Sequence, residues 1–269
     1  MKHPAPRAAG AFVLAAAATL AACSVPSNTF IAPEPDDCQG DVVVDGPLRV
    51  ATYNIKAGLE SSLPEIAAVL ADLDADVIAL QEVDRDAERT GRVDQARFLA
   101  EQLGMDYAYA ATKQRSTGDF GVALLSRLPF VHTERIDLPS AFSFEPRVAL
   151  AADLCAGDET VRVFSSHIDL NPVAALAQHE ALSALAAPFV GQGVIVAGDL
   201  NATVDDAGLL ALLATPLSDV GALDDVPTCD GRRIDFLLAD AAIATRAVEA
   251  MVISTDASDH FPVVADLAW

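Results

Sequence analysis

Positive charge is scarce in this chain of 269 residues: 17 Lys and Arg stand against 39 Asp and Glu, a formal net charge of −22. A surface so acidic repels polyanions. Avid, non-specific binding of duplex DNA is therefore disfavoured, and any phosphate-bearing substrate needs a local cation. Aromatic residues make up 6% of the chain while hydrophobic residues make up 52%, so the core must come largely from Ala, Val, Leu and Ile, and disorder is excluded. Long hydrophobic runs are lacking too, since the apolar stretch 11–22 is too short for a permanent bilayer span.

That stretch follows Lys2 and Arg7 and ends in Leu20-Ala21-Ala22-Cys23. The pattern is an export signal, and its ending resembles a bacterial lipobox. It predicts a signal peptide over 1–22, lipidation of Cys23 and an extracytoplasmic protein anchored to a bacterial membrane. The alternative is an ordinary signal peptide with an incidental Cys. Ser24 lacks the acid that marks inner-membrane retention in some bacteria. Residues 23–46, polar and bearing Pro26, Pro33 and Pro35, read as a tether, and 47–269 as one domain. Of four cysteines, Cys38, Cys155 and Cys229 remain once Cys23 is set aside, so at most one internal disulfide can form.

Period-two and period-3.6 patterns alternate along the rest. Strands are predicted at 48–55, 76–81, 107–111, 121–126, 130–138, 147–154, 161–167, 194–199, 234–238, 248–254 and 263–267. Helices are predicted at 64–75, 94–105, 173–187 and 206–213. Two helix-bearing crossovers among hairpin-spaced strands suggest a layered, mixed α/β domain.

Polar side chains recur where those strands stop. "TYN" ends at Asn54, "ALQE" at Glu82, "FSSH" at His167, and "VIVAGDLN" at Asp199 and Asn201; Asp235 lies in "RRIDF", and Asp259 and His260 precede the last strand. Any one of these alone is an ordinary turn residue, because Asn and Asp bond nearby backbone. Together they are too many for turns. Glu82, Asp199, Asp235 and Asp259 at one edge would repel one another unless some took up protons or a cation joined them. An oxygen-rich donor set suits a hard ion such as Mg²⁺ or Mn²⁺ rather than zinc.

The ordered series "TYNI", "VIALQEVD", "ALLSR", "SSHIDLN", "VAGDLN", "RRIDF" and "SDHFPV" resembles the endonuclease/exonuclease/phosphatase superfamily with the DNase I-like fold, over nearly all of 48–267. "RTGRVDQ" with "LAEQLGMDYAYA" resembles its small bacterial metal-dependent hydrolases. The resemblance implies a four-layer α/β/β/α sandwich of two packed mixed sheets flanked by helices. It implies a phosphoester hydrolase in which Glu82, Asn54 and Asp259 hold the Mg²⁺ or Mn²⁺. Asp199 would take the proton from attacking water and Asn201 would hold that water or a phosphate oxygen. His260 would stand beside the scissile phosphate with Asp235 fixing its tautomer, and His167 would bond a non-bridging oxygen. Arg147 matches a basic position near substrate but reads equally as a solvated strand-edge arginine; Lys56 is a further phosphate contact. Arg89, Asp94 and Gln95 of "RTGRVDQ" receive no role.

Relatives often carry Gly-Asn before "ALLSR", where this chain has Val122, and the usual grip on nucleic acid is weakened accordingly. If the polar termini share one end of the sheets, Cys155 lies at the other, as does the approach to the first strand, which pairs Cys38 with Cys155. A monomer is expected, with a small or lipid-borne phosphoester favoured over duplex DNA. An exported phosphate-scavenging nuclease is the alternative, and a non-catalytic binding module is a more distant one.

Overall fold

The structure, a computed structural model, describes residues 1, 38, 44, 46–115, 117–221 and 226–269. The predicted signal peptide, Cys23 and most of the tether lie outside the described residues. In chain order the elements are β1 (Leu48–Asn54), α1 (Leu63–Leu73), β2 (Val77–Arg85), α2 (Gln95–Leu103), β3 (Asp106–Arg115), β4 (Gly118–Ser126), β5 (Phe130–Asp137) and β6 (Val148–Ala156). There follow β7 (Glu159–His167), α3 (Pro172–Ala186), β8 (Val194–Asp199), α4 (Ala207–Ala214), β9 (Leu217–Asp219), β10 (Asp235–Asp240), α5 (Ala241–Ala244), β11 (Ala247–Val252) and β12 (Val263–Leu267).

Two six-stranded sheets result, in the orders β11-β12-β1-β2-β4-β3 and β5-β6-β7-β8-β10-β9. Side-chain alternation sorts each strand between two layers. Val50, Val77, Ala79, Val163, Ile195, Ala197 and Leu237 face the opposite sheet. Ala51, Tyr53, Ile78 and Leu80 face the layer that holds α1 and α2. Phe164, Val196, Phe236 and Leu238 face the layer that holds α3 and α4. The expected α/β/β/α sandwich is thus present, with three apolar layers between its four.

Local chemistry sets the helix ends. Ser62 and Glu65 form a capping box before α1, Asp94 accepts the Arg97 N–H before α2, and Asn171 accepts those of Val173 and Ala174 before α3. Gly104, at φ +65°, closes α2 in the left-handed region. Each sheet contains one parallel pair, β1 with β2 and β7 with β8. A parallel pair needs a crossover, supplied by α1 and α3, and it places both strand C-termini at the same end.

Several boundaries differ from expectation. The strand predicted to end at Glu82 continues to Arg85, because a bulge absorbs one residue between Leu80 and Val83 and the pairing with β4 resumes at Gly121. Strands β3 and β4 are longer than their apolar cores, carried on by main-chain pairing out to Arg115 and Gly118. The short β9 and α5 were not predicted; elements of three and four residues are too brief to display a period.

Cys38 and Cys155 are joined, with Cα atoms 5.4 Å apart, at the end of β6 remote from His167 and Asp199, and Cys229 is a buried free thiol. The bridge spans 117 residues of sequence. Peptide mapping without reduction is expected to return the Cys38–Cys155 pair. Cys155→Ser should lower unfolding free energy by about 2–4 kcal/mol in denaturant titration, the range usual for disulfides that close long loops.

Candidate active site

Asp199 is the last residue of β8, and register places His167 beside it in β7 and Asp235 beside it in β10. All three continue the inward-facing set of their strands, so their side chains enter the cleft between the sheets. Gly198 permits this closeness: at φ +152°, a Cβ there would meet the Ser166 carbonyl oxygen at 2.0 Å. Asp235 was expected in a strand, and it starts β10. Antiparallel pairing with β8 brings that start to the Asp199 end. Thr228, wholly buried, braces it by accepting the N–H groups of Ile234 and Asp235 on Oγ1.

The other sheet contributes Asn54 and Glu82. Alternation from Ile78 and Leu80 would turn Glu82 outward, toward α1 and α2. The bulge, with Glu82 itself at φ +54°, re-aims it. Asn54 Nδ2 lies 3.4 Å from Glu82 Oε1 and donates to Asp199 Oδ2 at 3.0 Å, bridging the two sheets. Ser258 donates to the Asn54 carbonyl at 2.8 Å, which seats the segment bearing Asp259 and His260. Lys56 Nζ lies 2.8 Å from Asp259 and 2.5 Å from Glu60.

Electrostatics separate the two histidines. His260 Nδ1 is 2.9 Å from Asp235 Oδ2, and its Nε2 is 3.7 Å from Asp199 Oδ2. Burial opposes its charge, but the hydrogen bond and charge of Asp235, with Asp199 and Asp259 behind, outweigh that and push its pKa up to about 9. His167 Nε2 lies 3.4 Å from the same Asp199 oxygen, yet burial, the Arg147 charge and His260 hold it well below the usual histidine range. Near neutrality His260 is cationic and His167 neutral. Burial and the neighbouring Asp235 raise the Asp199 carboxyl, against the charge of His260 and hydrogen bonds from Asn54 and the Asn201 N–H. Asn201 Nδ2 donates to the Ile168 carbonyl at 2.9 Å, which leaves Oδ1 as the side-chain atom that can accept.

The predicted residues therefore meet, and two readings are revised. Arg147 is 6% exposed and sits 3.9 Å from Asp169, so it is not a solvated edge arginine. Its Nε, the atom that faces Asp169, makes no hydrogen bond among the described residues. Asp169, inside the quoted "SSHIDLN", passed unassigned; it accepts the N–H groups of Phe144, Glu145 and Asn171. Val122 packs in the layer between the sheets, where it offers apolar contact alone.

The unassigned "RTGRVDQ" segment holds the bulge. Asp84, wholly buried two residues past Glu82, accepts a two-pronged bond from Arg89 at 2.7 and 2.8 Å and the Thr90 hydroxyl at 3.1 Å. Gln95, also buried, accepts the Asp84 N–H at 2.8 Å and donates to the Ala57 carbonyl at 2.7 Å. It thereby ties the strand carrying Glu82 to the left-handed Lys56-Ala57 turn that follows Asn54. Sequence flagged this segment by resemblance alone, since the clamp is a tertiary contact across 38 residues.

Which groups suit a cation is a question of donor chemistry. Asp199, Asp235 and His260 have ligand atoms within 4.8 Å of one another; His260 is ion-paired with both carboxylates, while the buried Asp235 Oδ1 has no hydrogen-bond partner among the described residues. Glu82 and Asp259 offer carboxylate oxygens, and Asn54 Oδ1, which accepts the Lys56 N–H at 3.0 Å, would complete a set that fits a hard divalent ion. Asp259 is shared there with the Lys56 ammonium.

Comparison with known proteins identifies the family and the fold. The profile of the Endonuclease/Exonuclease/phosphatase family matches residues 51–260. The chain is 28% identical over 253 residues to Escherichia coli YbhP, covering 81% of this chain and 95% of that one. A solved endonuclease/exonuclease/phosphatase from Beutenbergia cavernae aligns at 25% identity and TM-score 0.68, covering 83% of this chain and 72% of that one. A Bacteroides thetaiotaomicron mannosyl-6-phosphatase aligns at 19% identity and TM-score 0.64, covering 82% and 100%.

Two outcomes follow from the contacts. Asp235→Asn removes the charge that sustains the His260 imidazolium, so NMR titration of the metal-free variant should place His260 near or below its ordinary value of 6.5 rather than about 9. Gln95→Leu leaves a buried N–H and a buried carbonyl unpaired, and denaturant unfolding should register a loss of about 2–4 kcal/mol.

Proposed function

Because the chain belongs to the endonuclease/exonuclease/phosphatase family, whose members hydrolyse phosphoesters, we propose that it is an exported, lipid-anchored, divalent-metal-dependent phosphodiesterase or phosphatase. The observation that carries this reading is the buried Asp199 carboxylate, set between a His260–Asp235 pair and a neutral His167 at the rim that also holds Glu82 and Asn54.

The chemistry is in-line attack of water on phosphorus. Asp199, its carboxyl raised toward neutrality by burial and Asp235, accepts the water proton, and Asn201 Oδ1 orients that water. The His260 imidazolium, kept charged by Asp235, stabilises negative charge on the leaving oxygen as the P–O bond breaks. His167 and Arg147 face non-bridging oxygens, and Lys56 adds a cation at the Asp259 side. Glu82, Asn54 and Asp259 would hold the Mg²⁺ or Mn²⁺, which when bound supplies Lewis-acid polarisation of a phosphoester oxygen. No covalent enzyme intermediate is required.

Small or lipid-borne phosphoesters fit better than duplex DNA. The basic side chains along the rim are each engaged by an acid: Arg85 by Asp119, Arg89 by Asp84, Lys113 by Glu145. Little charge is left to neutralise a phosphate backbone. Export and anchoring rest on the 11–22 apolar run and the lipobox-like Leu20-Ala21-Ala22-Cys23, and the protein is expected to act as a monomer on the outer side of the cytoplasmic membrane or beyond.

Hydrolysis of bis(p-nitrophenyl) phosphate and of phosphomonoesters should require Mg²⁺ or Mn²⁺ and stop with chelator. Glu82→Ala and His260→Ala should each lower kcat/KM by about a thousandfold or more with circular dichroism unchanged; near-wild-type rates would remove both assignments. In the expressing bacterium, mass spectrometry should find lipid on Cys23, and Cys23→Ala should lack it.

A further inference from the structure

Phe142 and Phe144 are the exposed aromatic side chains among the described residues, at 75% and 73%, in a chain poor in aromatics. They sit in the loop 138–147 between β5 and β6, and this loop is built rather than frayed. Wholly buried Asp169 accepts the Phe144 and Glu145 N–H groups at 3.0 and 3.3 Å. Wholly buried Gln178 donates to the Pro139 carbonyl and the Ser143 hydroxyl at 3.0 Å each, and Lys113 pairs with Glu145. Phe142 is held at φ +65°, a left-handed conformation that bulky side chains disfavour and that persists where surrounding contacts impose it. Next in sequence to Asp169, which holds the Phe144 N–H, and just before and within the start of α3, Leu170 and Val173 are 64% and 60% exposed.

The location decides what covers these side chains. Leu170 lies three residues past His167, and Phe144 is bonded through Asp169 to the buried Arg147 neighbourhood. The apolar group therefore stands on or next to the two loops, 138–147 and 168–171, that adjoin Arg147 and His167. A polyanionic extension of the substrate would meet a strongly acidic protein, whereas an uncharged hydrocarbon meets no such repulsion. We propose that Phe142, Phe144, Leu170 and Val173 form a subsite for a hydrocarbon substituent of the phosphoester, alkyl, acyl or aryl, extending from the phosphate past Arg147. This deepens the phosphoesterase reading and rests on it.

The test separates binding from turnover. Calorimetry without turnover compares methyl phosphate with octyl phosphate below its micelle concentration. The subsite predicts at least tenfold tighter binding of the octyl compound, lost in Phe142→Asn/Phe144→Ser, where Asn tolerates the left-handed backbone. Equal affinities in the wild type overturn it. Turnover of p-nitrophenyl methyl, butyl and octyl phosphodiesters should show kcat/KM rising with chain length through KM. The double variant should flatten that trend and leave the methyl ester unchanged. A flat wild-type trend with the methyl ester hydrolysed overturns the subsite and spares the activity. Chain-length-dependent binding with no metal-dependent hydrolysis of any ester overturns the activity and spares the subsite. Phenylalanine-dependent sedimentation with phosphatidylcholine vesicles, or concentration-dependent dimerisation lost in the double variant, with no chain-length effect in solution, assigns the patch to a bilayer or to a second copy and overturns the proposal.

Discussion

Everything at the rim depends on keeping the Asp199 carboxylate out of water. A buried, unpaired carboxylate would cost several kcal/mol, and such a group ordinarily escapes by taking up a proton. Here hydrogen bonds come from two directions, the Asn54 amide of the opposite sheet and the Asn201 N–H of its own loop, and the His260 charge faces it at 3.7 Å. The compensation is incomplete, because Asp235 sits beside it in register and adds a second negative charge. That residual tension raises Asp199 and is relieved by the cationic His260. One charge balance thus fixes which histidine is protonated, which carboxylate is poised to take a proton, and where a developing charge would be stabilised.

The tension extends to the backbone. Lys56, Ala57, Glu82 and Asn201 all adopt positive φ, and each lies in or directly beside a residue of the site. Left-handed backbone at non-glycine residues persists only when its surroundings over-determine it. Gln95 provides that at two places at once, holding Ala57 and the strand beyond Glu82 with its two amide atoms. Asp84, Arg89 and Thr90 stiffen the same strand from the other side. The segment therefore acts at a distance from the chemistry, through the angle at which Glu82 leaves its strand.

Much of the fold was legible because its signals are local. The period-two runs of β1, β7 and β8 and the capped, apolar-striped α1 and α2 each declare themselves within a dozen residues. The polar strand ends were legible for the same reason, and parallel pairing required several of them to share an end. What could not be read were features created by register. The bulge at Glu82 breaks alternation only when β4 is laid beside β2, and the placement of Asp235 depends on the antiparallel entry of β10. The two readings of Arg147 stayed open for a similar reason, since the Asp169 that it faces comes from the loop after the neighbouring strand. Gln95 carried no local signature, as both of its bonds reach into other elements.

The scarcity of aromatics that marks the composition also bears on the site. The layer between the sheets is mostly small and branched side chains, among them Ala79, Ala108, Ala110, Ala152, Ala197 and Ala239, with Phe130 in it and Trp269 packed against it. The largest buried aromatics, Tyr53, Phe164 and Phe236, instead face outward beneath the helices. Sheets packed face to face stand about 10 Å apart, a spacing that bulky inward residues would enlarge. Asn54 belongs to one sheet and Asp199 to the other, yet they meet at 3.0 Å. A short amide can cross that gap only where the layer is thin. The Ala-rich interior therefore does more than fill space: it brings the oxygen donors of one sheet within reach of the proton-handling groups of the other. An aromatic side chain substituted into this inner layer near the rim would act on the site by prising those two halves apart.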